Sequence, residues 1–408
     1  MAQAVTFYGW RVVAAAFVLA VFGWGIGFYG PPVYLHAVRE ARGWSLSLVS
    51  TAVTVHFLIG AVVVANLPSL YRRYGLPTVT KAGALALALG VFGWAIATAP
   101  WQLFAATLLS GAGWVAMGAA AVNAIVSPWF VRTRPAALAM AYNGASIGGV
   151  VFSPLWVAAI GQFGFPAASA AIGVAMAATV WILASGLFSQ TPRQLGLAPD
   201  GDTADARPMA VTSPAARPLP GRQLWRNAGF LTLAGGMALG LFAQIGLIAH
   251  LFSLLVPALG AQPAGLATGL ATAAAIGGRT LVGWLMPAGV DRRLFACASY
   301  AVQIGGSVAF VLAAGESVPL LRLGVILFGA GIGNATSLPP LIAQVEFVKE
   351  DVPRVVALIV AIGQGTYAFA PAAFGLVGEL WPSMPAFFLA AALVQALTIC
   401  VFLAGRRR

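Results

Sequence analysis

The chain has 408 residues, of which 60% are hydrophobic and 8% charged, and its formal net charge is +12. With a mean hydropathy of +0.91, it cannot be an ordinary soluble globule, because apolar runs of ~20 residues leave no room for a sizeable soluble domain. Its basic residues are scattered between apolar runs rather than gathered on one surface, so the charge reflects membrane topology and not a nucleic-acid-binding face.

Membrane-spanning helices are expected at about 10–34, 46–67, 78–98, 101–126, 136–160, 166–188, 228–256, 264–287, 294–314, 318–343, 355–378 and 385–404. The first run opens near Trp10, is longer than a signal-peptide core and lacks a cationic start, so a retained helix is expected. Between the sixth and seventh runs, Ser189 to Arg226 carries six prolines and five arginines. Such a stretch cannot bury apolar surface and is expected to be a mobile cytoplasmic linker. The expected architecture is therefore an all-α integral membrane protein with twelve transmembrane helices. Residues 1–188 form an N-terminal six-helix half, 189–226 the linker and 227–408 a C-terminal six-helix half. With the linker cytoplasmic, eighteen of the 22 basic residues fall inside, including Arg72, Arg73, Arg132, Arg134, Arg292, Arg293 and the Arg406–Arg408 tail. Arg39, Arg42 and Arg322 fall outside, which places both termini in the cytoplasm. Cys297 and Cys400 lie in apolar runs and are expected to be small core residues, with no metal or disulfide role.

The halves resemble each other. Tyr71-Arg72-Arg73 follows the second run as Asp291-Arg292-Arg293 follows the eighth, an offset of 220 residues. Pro135…Gly144…Pro154 in the fifth run matches Pro353…Gly363…Pro371 in the eleventh. Two parallel repeats of this kind place a binding site near the bilayer midplane.

Arg279 interrupts the eighth run. Sixteen uncharged residues precede it and eleven follow before Asp291, so it is expected roughly 16 Å along the helix from the nearest charged end. A cation at that depth costs at least ~2.5 kcal/mol unless it meets a partner or a wet cavity. None of the ten acidic residues lies inside a run, and an anionic ligand is the expected counter-charge. Arg322 is the alternative anion contact, although an ion pair with Glu316 would explain it as well.

His56 and His250 are candidates for proton coupling, because the unperturbed imidazole titrates near pH ~6.5. A neutral, hydrogen-bonded packing role is as natural for each, and His36 in the outer loop is a weaker candidate. Tyr29, Asn143, Gln244, Asn334, Gln364 and Tyr367 are polar residues inside runs; they suit the orienting of a ligand or bonding between helices. Trp10, Trp44, Trp101, Trp129 and Trp381 sit at run ends as interfacial anchors. Gly111, Gly113 and Gly118, like Gly144 and Gly148, permit close helix approach. P-loop, GxSxG, HExxH and CxxC patterns are absent, so no ATP-driven step, no enzymatic activity and no cofactor is expected.

Several stretches then point to a family. Tyr8-Gly9-Trp10-Arg11-Val12-Val13 opens the first run. Asn123, Pro128-Trp129-Phe130, Arg132, Arg134-Pro135, Ala139, Asn143-Gly144 and Gly148 mark the entry to the fifth. Thr191-Pro192-Arg193-Gln194-Leu195-Gly196-Leu197-Ala198-Pro199-Asp200-Gly201 follows the sixth, and Gly278-Arg279 with Gly283 lies in the eighth. In this order they resemble the major facilitator superfamily over the whole chain, and within it the monocarboxylate transporters and the bacterial oxalate/formate antiporters. The resemblance implies two six-helix halves and a multi-pass protein of the plasma membrane, here a bacterial inner membrane. It further implies a monomeric secondary transporter, with Arg279 at the position of a substrate-contacting arginine. The implied partners are a small organic anion, protons in a symport or a second anion in an antiport, and membrane lipid.

The sequence departs from those relatives at informative places. Arg72 replaces the loop aspartate after the second helix, and Pro287 stands at the corresponding place after the eighth. Gly27-Phe28-Tyr29-Gly30 lacks the helix-one lysine, and Ala275 replaces an aspartate one turn before Arg279. Ile362-Gly363-Gln364-Gly365-Thr366-Tyr367 lacks the helix-eleven lysine of the oxalate antiporters. One guanidinium takes one carboxylate bidentately, so a monoanion suits this chain better than a dianion. A drug- or siderophore-type carrier of a neutral or larger solute is the alternative, as is an exchanger or uniporter without proton coupling.

Overall fold

A computed structural model describes residues 7–201, 221–286, 290–348 and 350–406, and helices supply the regular structure in them. Residues 202–220 of the expected linker, and Arg407 and Arg408 of the tail, lie outside the described residues, as does Pro287. Contacts divide the chain into two compact units, Met1–Val38 with Val55–Ala210 and Arg39–Thr54 with Val211–Arg408.

The first unit is built from α1 (Tyr8–Gly27), α2 (Pro31–Arg42), α3 (Leu46–Tyr74), α4 (Leu76–Ile96), α5 (Pro100–Val115), α6 (Ala119–Val126) and α7 (Arg134–Gly186). The end of α2 and the start of α3, to Thr54, group with the second unit. That unit contains the short α8 (Gly221–Leu224), then α9 (Ala228–Leu259), α10 (Ala261–Leu285), α11 (Arg292–Ala313), α12 (Val318–Glu346), α13 (Val352–Tyr367), α14 (Ala370–Leu380) and α15 (Met384–Ala404).

Ten stretches among the described residues are long and apolar enough to cross a membrane. Large apolar side chains also face outward, among them Trp284 (80% exposed), Leu393 (72%) and Ile182 (71%). With apolar stretches of bilayer length and apolar side chains turned outward, the protein is a multi-pass integral membrane protein. One stretch, Ala136–Gly186, has 51 residues and would be about 77 Å long if straight, more than twice the hydrocarbon core. Gly164, with φ 75° and ψ 158°, divides it; that backbone conformation is open to glycine and strained for other residues. α10 has 25 residues, enough to cross, yet its Thr, Gly and Arg content keeps it outside the ten.

Three of the expected continuous spans are interrupted. The first breaks at Phe28–Gly30, the fourth at Ala116–Gly118 and the eleventh at Ala368 and Phe369. Pro31-Pro32 and Pro371 stand at the first and third breaks, where a missing N–H and the ring clash end a helix. The chain after α7 is docked for part of its length rather than free. Asp200, itself at φ 61°, accepts from the backbone N–H of Val131 (3.0 Å), Arg132 (2.8 Å) and Thr133 (3.1 Å) and from the Thr133 hydroxyl (2.5 Å). Desolvation works to raise this carboxyl; the bonds from the Thr133 hydroxyl and the three N–H groups outweigh it and hold it well below the usual carboxylate range.

The small residues set the helix spacing. A methyl group at Gly144 or Gly148 would meet the Phe17 or Val21 carbonyl of α1, and one at Gly111 would meet the His56 carbonyl of α3. In the second unit Gly329 and Gly333 of α12 lie against the Ala271 and Ala275 carbonyls of α10, while Gly278 of α10 lies against the Ala330 carbonyl. These are backbone-to-backbone contacts, which the absence of a side chain alone permits.

Candidate functional site

Arg279 owes its position to that last seam. Because α10 and α12 touch through glycine and alanine, the Arg279 Nε–H reaches the Gly333 carbonyl at 3.0 Å. Gly333 lies fifteen residues after Val318 and thirteen before Glu346, so the guanidinium sits at the middle of a 29-residue helix and about 20 Å from its charged end. Measured along its own helix, Arg279 is closer to an end than expected. α10 stops at Leu285, about 9 Å beyond Arg279. The guanidinium thus lies opposite the midpoint of α12, although α10 ends six residues after Arg279. Because the guanidinium is planar, a bond at Nε also orients both Nη groups.

Asn334 follows Gly333 on α12 and is 3% exposed, and its Oδ1 has no hydrogen-bond donor among the described residues; the same holds for Oε1 of Gln244 on α9, which is 4% exposed. On α13 the Gln364 side chain hydrogen-bonds Tyr367, which is buried beside the α13–α14 break. His250 of α9 donates from Nε2 to the Pro371 carbonyl at 3.0 Å, just past that break, and its Nδ1 has no hydrogen-bond partner among the described residues. Arg322 is exposed near the start of α12, and the ion pairs among the described residues do not join it to Glu316.

In the first unit, Tyr29 lies in the α1 break and His56 bonds the carbonyl of the last α1 residue, Gly27. Helix ends leave carbonyls without partners, and an apolar surrounding has no water to supply them. Trp24 O accepts from the Phe28 and Tyr29 N–H groups, Gly25 O from Trp156 Nε1 (3.3 Å), Ile26 O from the Tyr34 hydroxyl (3.1 Å) and Gly27 O from His56 Nε2 (2.8 Å). A carbonyl only accepts, so Nε2 carries the hydrogen and Nδ1 accepts from the Ser110 hydroxyl at 2.8 Å. Ser110 Oγ in turn accepts from Trp94 Nε1 at 3.2 Å. Both His56 nitrogens are thus engaged in holding α1, α3 and α5 together, a role of position. Asn143 is exposed on α7. A cavity of about 220 Å³ in this unit, lined by Val12, Leu76, Ile125, Trp129, Phe188 and Thr191, contains none of the expected site residues.

Sequence reasoning missed a second buried arginine. Arg293 is 1% exposed and pairs with Glu346 through Nε (2.6 Å) and Nη2 (2.8 Å). Its remaining donors reach Thr232 Oγ1 (3.1 Å), the Phe402 carbonyl (3.3 Å) and the Gly229 carbonyl (2.9 Å). Its five N–H groups are all used, tying α9, α11, α12 and α15 together. At the other end of this unit α14 is pinned to the start of α3. Ala372 N donates to Thr54 Oγ1 (3.0 Å) and Ser47 N to Glu379 Oε1 (2.8 Å).

The two helical units and their interrupted apolar helices define a polytopic α-helical membrane protein. The Major Facilitator Superfamily profile matches residues 12–371, and the chain belongs to that family. MFS-type transporter 1 of Ophiocordyceps sp. (strain BCC 1869) is 30% identical over 166 residues, 39% of this chain and 36% of that protein. The matched stretch therefore spans little more than a third of that relative's length. Among solved structures, the nucleoside transporter NupG superposes with a TM-score of 0.72 at 13% identity, covering 98% of this chain and 98% of that one. A mutant of NupG gives 0.74 at 14%, covering 97% and 100%. A bacterial homolog to the human lysosomal transporter Spinster gives 0.72 at 12%, covering 97% and 96%. At these identities the likeness is one of fold.

Proposed function

We propose that the protein is a secondary transporter that moves a small organic anion, a monocarboxylate, across the membrane by alternating access. The proposed twelve crossings are the ten apolar stretches with Ala136–Gly186 counted twice across Gly164 and α10 added. The excess of basic residues around the linker supports a cytoplasmic location for both termini, and the proposed architecture has a six-helix half on either side of the linker.

The observation that carries the reading is the Arg279–Gly333 bond, which supports a guanidinium held at mid-depth in one orientation. An oriented fork in a low-dielectric setting binds one carboxylate through two parallel hydrogen bonds and discriminates against groups of other geometry. Asn334 and Gln244 offer buried amide oxygens in the same unit, suited to hydroxyl or amine donors on the cargo. Tyr367 and Gln364 on α13, with Tyr29 and Asn143 in the first unit, are further candidate contacts. Proton coupling, if the anion moves with a proton, falls to His250 rather than His56, since of the two it is His250 that keeps a ring nitrogen without a hydrogen-bond partner among the described residues.

A carrier of neutral solutes is the second reading, favoured by those same amides and by the fold shared with a nucleoside transporter. Uptake of radiolabelled carboxylates and nucleosides into proteoliposomes separates the two. Arg279→Ala is expected to abolish carboxylate uptake in folded protein, and Arg279→Lys to retain little, because an ammonium lacks the planar fork. Carboxylate uptake unchanged in Arg279→Ala would overturn the anion reading.

A further inference from the structure

α11 turns an unusual polar face into the second unit. Tyr300 (2% exposed), Gln303 (0%) and Ser307 (1%) lie on successive turns of α11, and Gln395 (0%) faces them from α15. Gln395 Nε2 donates to Gln303 Oε1 at 3.0 Å. Gln303 Nε2, Gln395 Oε1, the Tyr300 hydroxyl and the Ser307 hydroxyl find no hydrogen-bond partner among the described residues. Two glycines border the cluster and let these side chains pack against bare backbone. Gly331 of α12 lies against Gln303, and Gly240 of α9 lies against the Tyr300 hydroxyl.

Two touching primary amides can exchange two hydrogen bonds, and this pair makes one. Turning both amides over leaves the same balance, one N–H and one C=O unmatched, so the orphaned atoms do not depend on which way the amides are assigned. Each buried polar group left unmatched costs about 1–3 kcal/mol, and four on one face is far beyond what native proteins leave unexplained. The four atoms are one donor nitrogen, one acceptor oxygen and two hydroxyls that can act as either. A molecule that donates twice and accepts twice satisfies them, whereas a cation would find one amide oxygen and no carboxylate.

We propose that this face is a water-binding site, with one ordered water bridging Gln303 Nε2–H to Gln395 Oε1 and further hydrogen-bonded to the Ser307 or Tyr300 hydroxyl. Three such partners are what a buried water ordinarily has. The site lies on different residues from the anion contact, and its test does not read transport.

X-ray radiolysis of the full-length protein in nanodiscs, read by mass spectrometry, generates hydroxyl radical from water in place and oxidises the side chains that touch it. Tyr34 is the internal standard: it is 1% exposed, and its hydroxyl is already bonded to the Ile26 carbonyl. Tyr300 is expected to be oxidised several-fold faster than Tyr34. The double variant Gln303→Leu/Gln395→Leu, which keeps the bulk and removes the amides, is expected to bring Tyr300 down to the Tyr34 rate. Tyr300 labelled no faster than Tyr34 in the wild type would overturn the proposal. So would fast labelling that survives the double substitution. Should the variant not fold, a pulse of ¹⁸O-labelled water before irradiation decides on the wild type alone. Uptake of the label into oxidised Tyr300 that lags behind exposed tyrosines supports a held water, and uptake as fast as theirs overturns it.

Discussion

Arg279 and Arg293 stand fourteen residues apart in the sequence and do opposite things. The first is half-buried and bonds through Nε to a carbonyl at the middle of α12; the second is sealed, with its five N–H groups held by Glu346, Thr232, Phe402 and Gly229. Breaking a buried ion pair by removing one partner costs about 3–5 kcal/mol. Glu346→Ala is therefore expected to lower the thermal midpoint of the detergent-solubilised protein by many degrees. The double variant Arg293→Met/Glu346→Leu should lose less than the single one, because no charge is left stranded. Arg279→Ala should lower the midpoint less than Glu346→Ala does, since the Gly333 carbonyl keeps the Ser337 hydroxyl as a donor. A midpoint that falls as far for Arg279→Ala as for Glu346→Ala would make Arg279 structural. The sequence exposed Arg279 because a charge inside an apolar run is visible without any fold. It hid Arg293 because an arginine after Asp291 resembles any basic loop, and its partner lies 53 residues further on. His56 was visible as a polar residue in a span, but its role depended on a break in α1 that no periodicity announces. Gly30-Pro31-Pro32 was the available signal.

At the scale of elements, the chain after α7 behaves as part of the first unit as far as Gly201. Asp200 satisfies the backbone N–H groups of Val131, Arg132 and Thr133 just before α7 begins, which is where a carboxylate also meets the positive end of the helix dipole. Asp200→Ala is expected to speed hydrogen exchange at those three amides while leaving the core of α7 protected. The sign of the pH dependence follows from a carboxyl whose folded value is depressed. Its contribution is complete above the ordinary aspartate value of ~3.9 and is lost only as the pH falls toward the lower folded value. Protection of the three amides should therefore persist through pH ~4, and its loss above that would remove Asp200 as the anchor. Composition alone made this stretch look like uniform linker, since six prolines over 38 positions dilute one well-placed aspartate.

For the whole molecule, helix type and approximate positions were legible because apolar runs of bilayer length have few other solutions. The interruptions were not, because a helix that breaks inside a bundle keeps the same composition on both sides. The proposed topology is open to a direct check. A green fluorescent protein fused after Arg408 should fluoresce, and alkaline phosphatase fused there should be inactive; the reverse pattern would invert the protein in the membrane. One consequence follows from the end of α1. A gap in a helix is commonly a place where a structure bends, because its peptide groups have been released. Here the released oxygens are gripped by an indole, a phenol and an imidazole from three neighbouring helices, in surroundings where no solvent waits to take their place. Swinging the segment would forfeit all three grips together, so this gap should be among the stiffest points of its bundle, and flexing is better sought at breaks less firmly fastened.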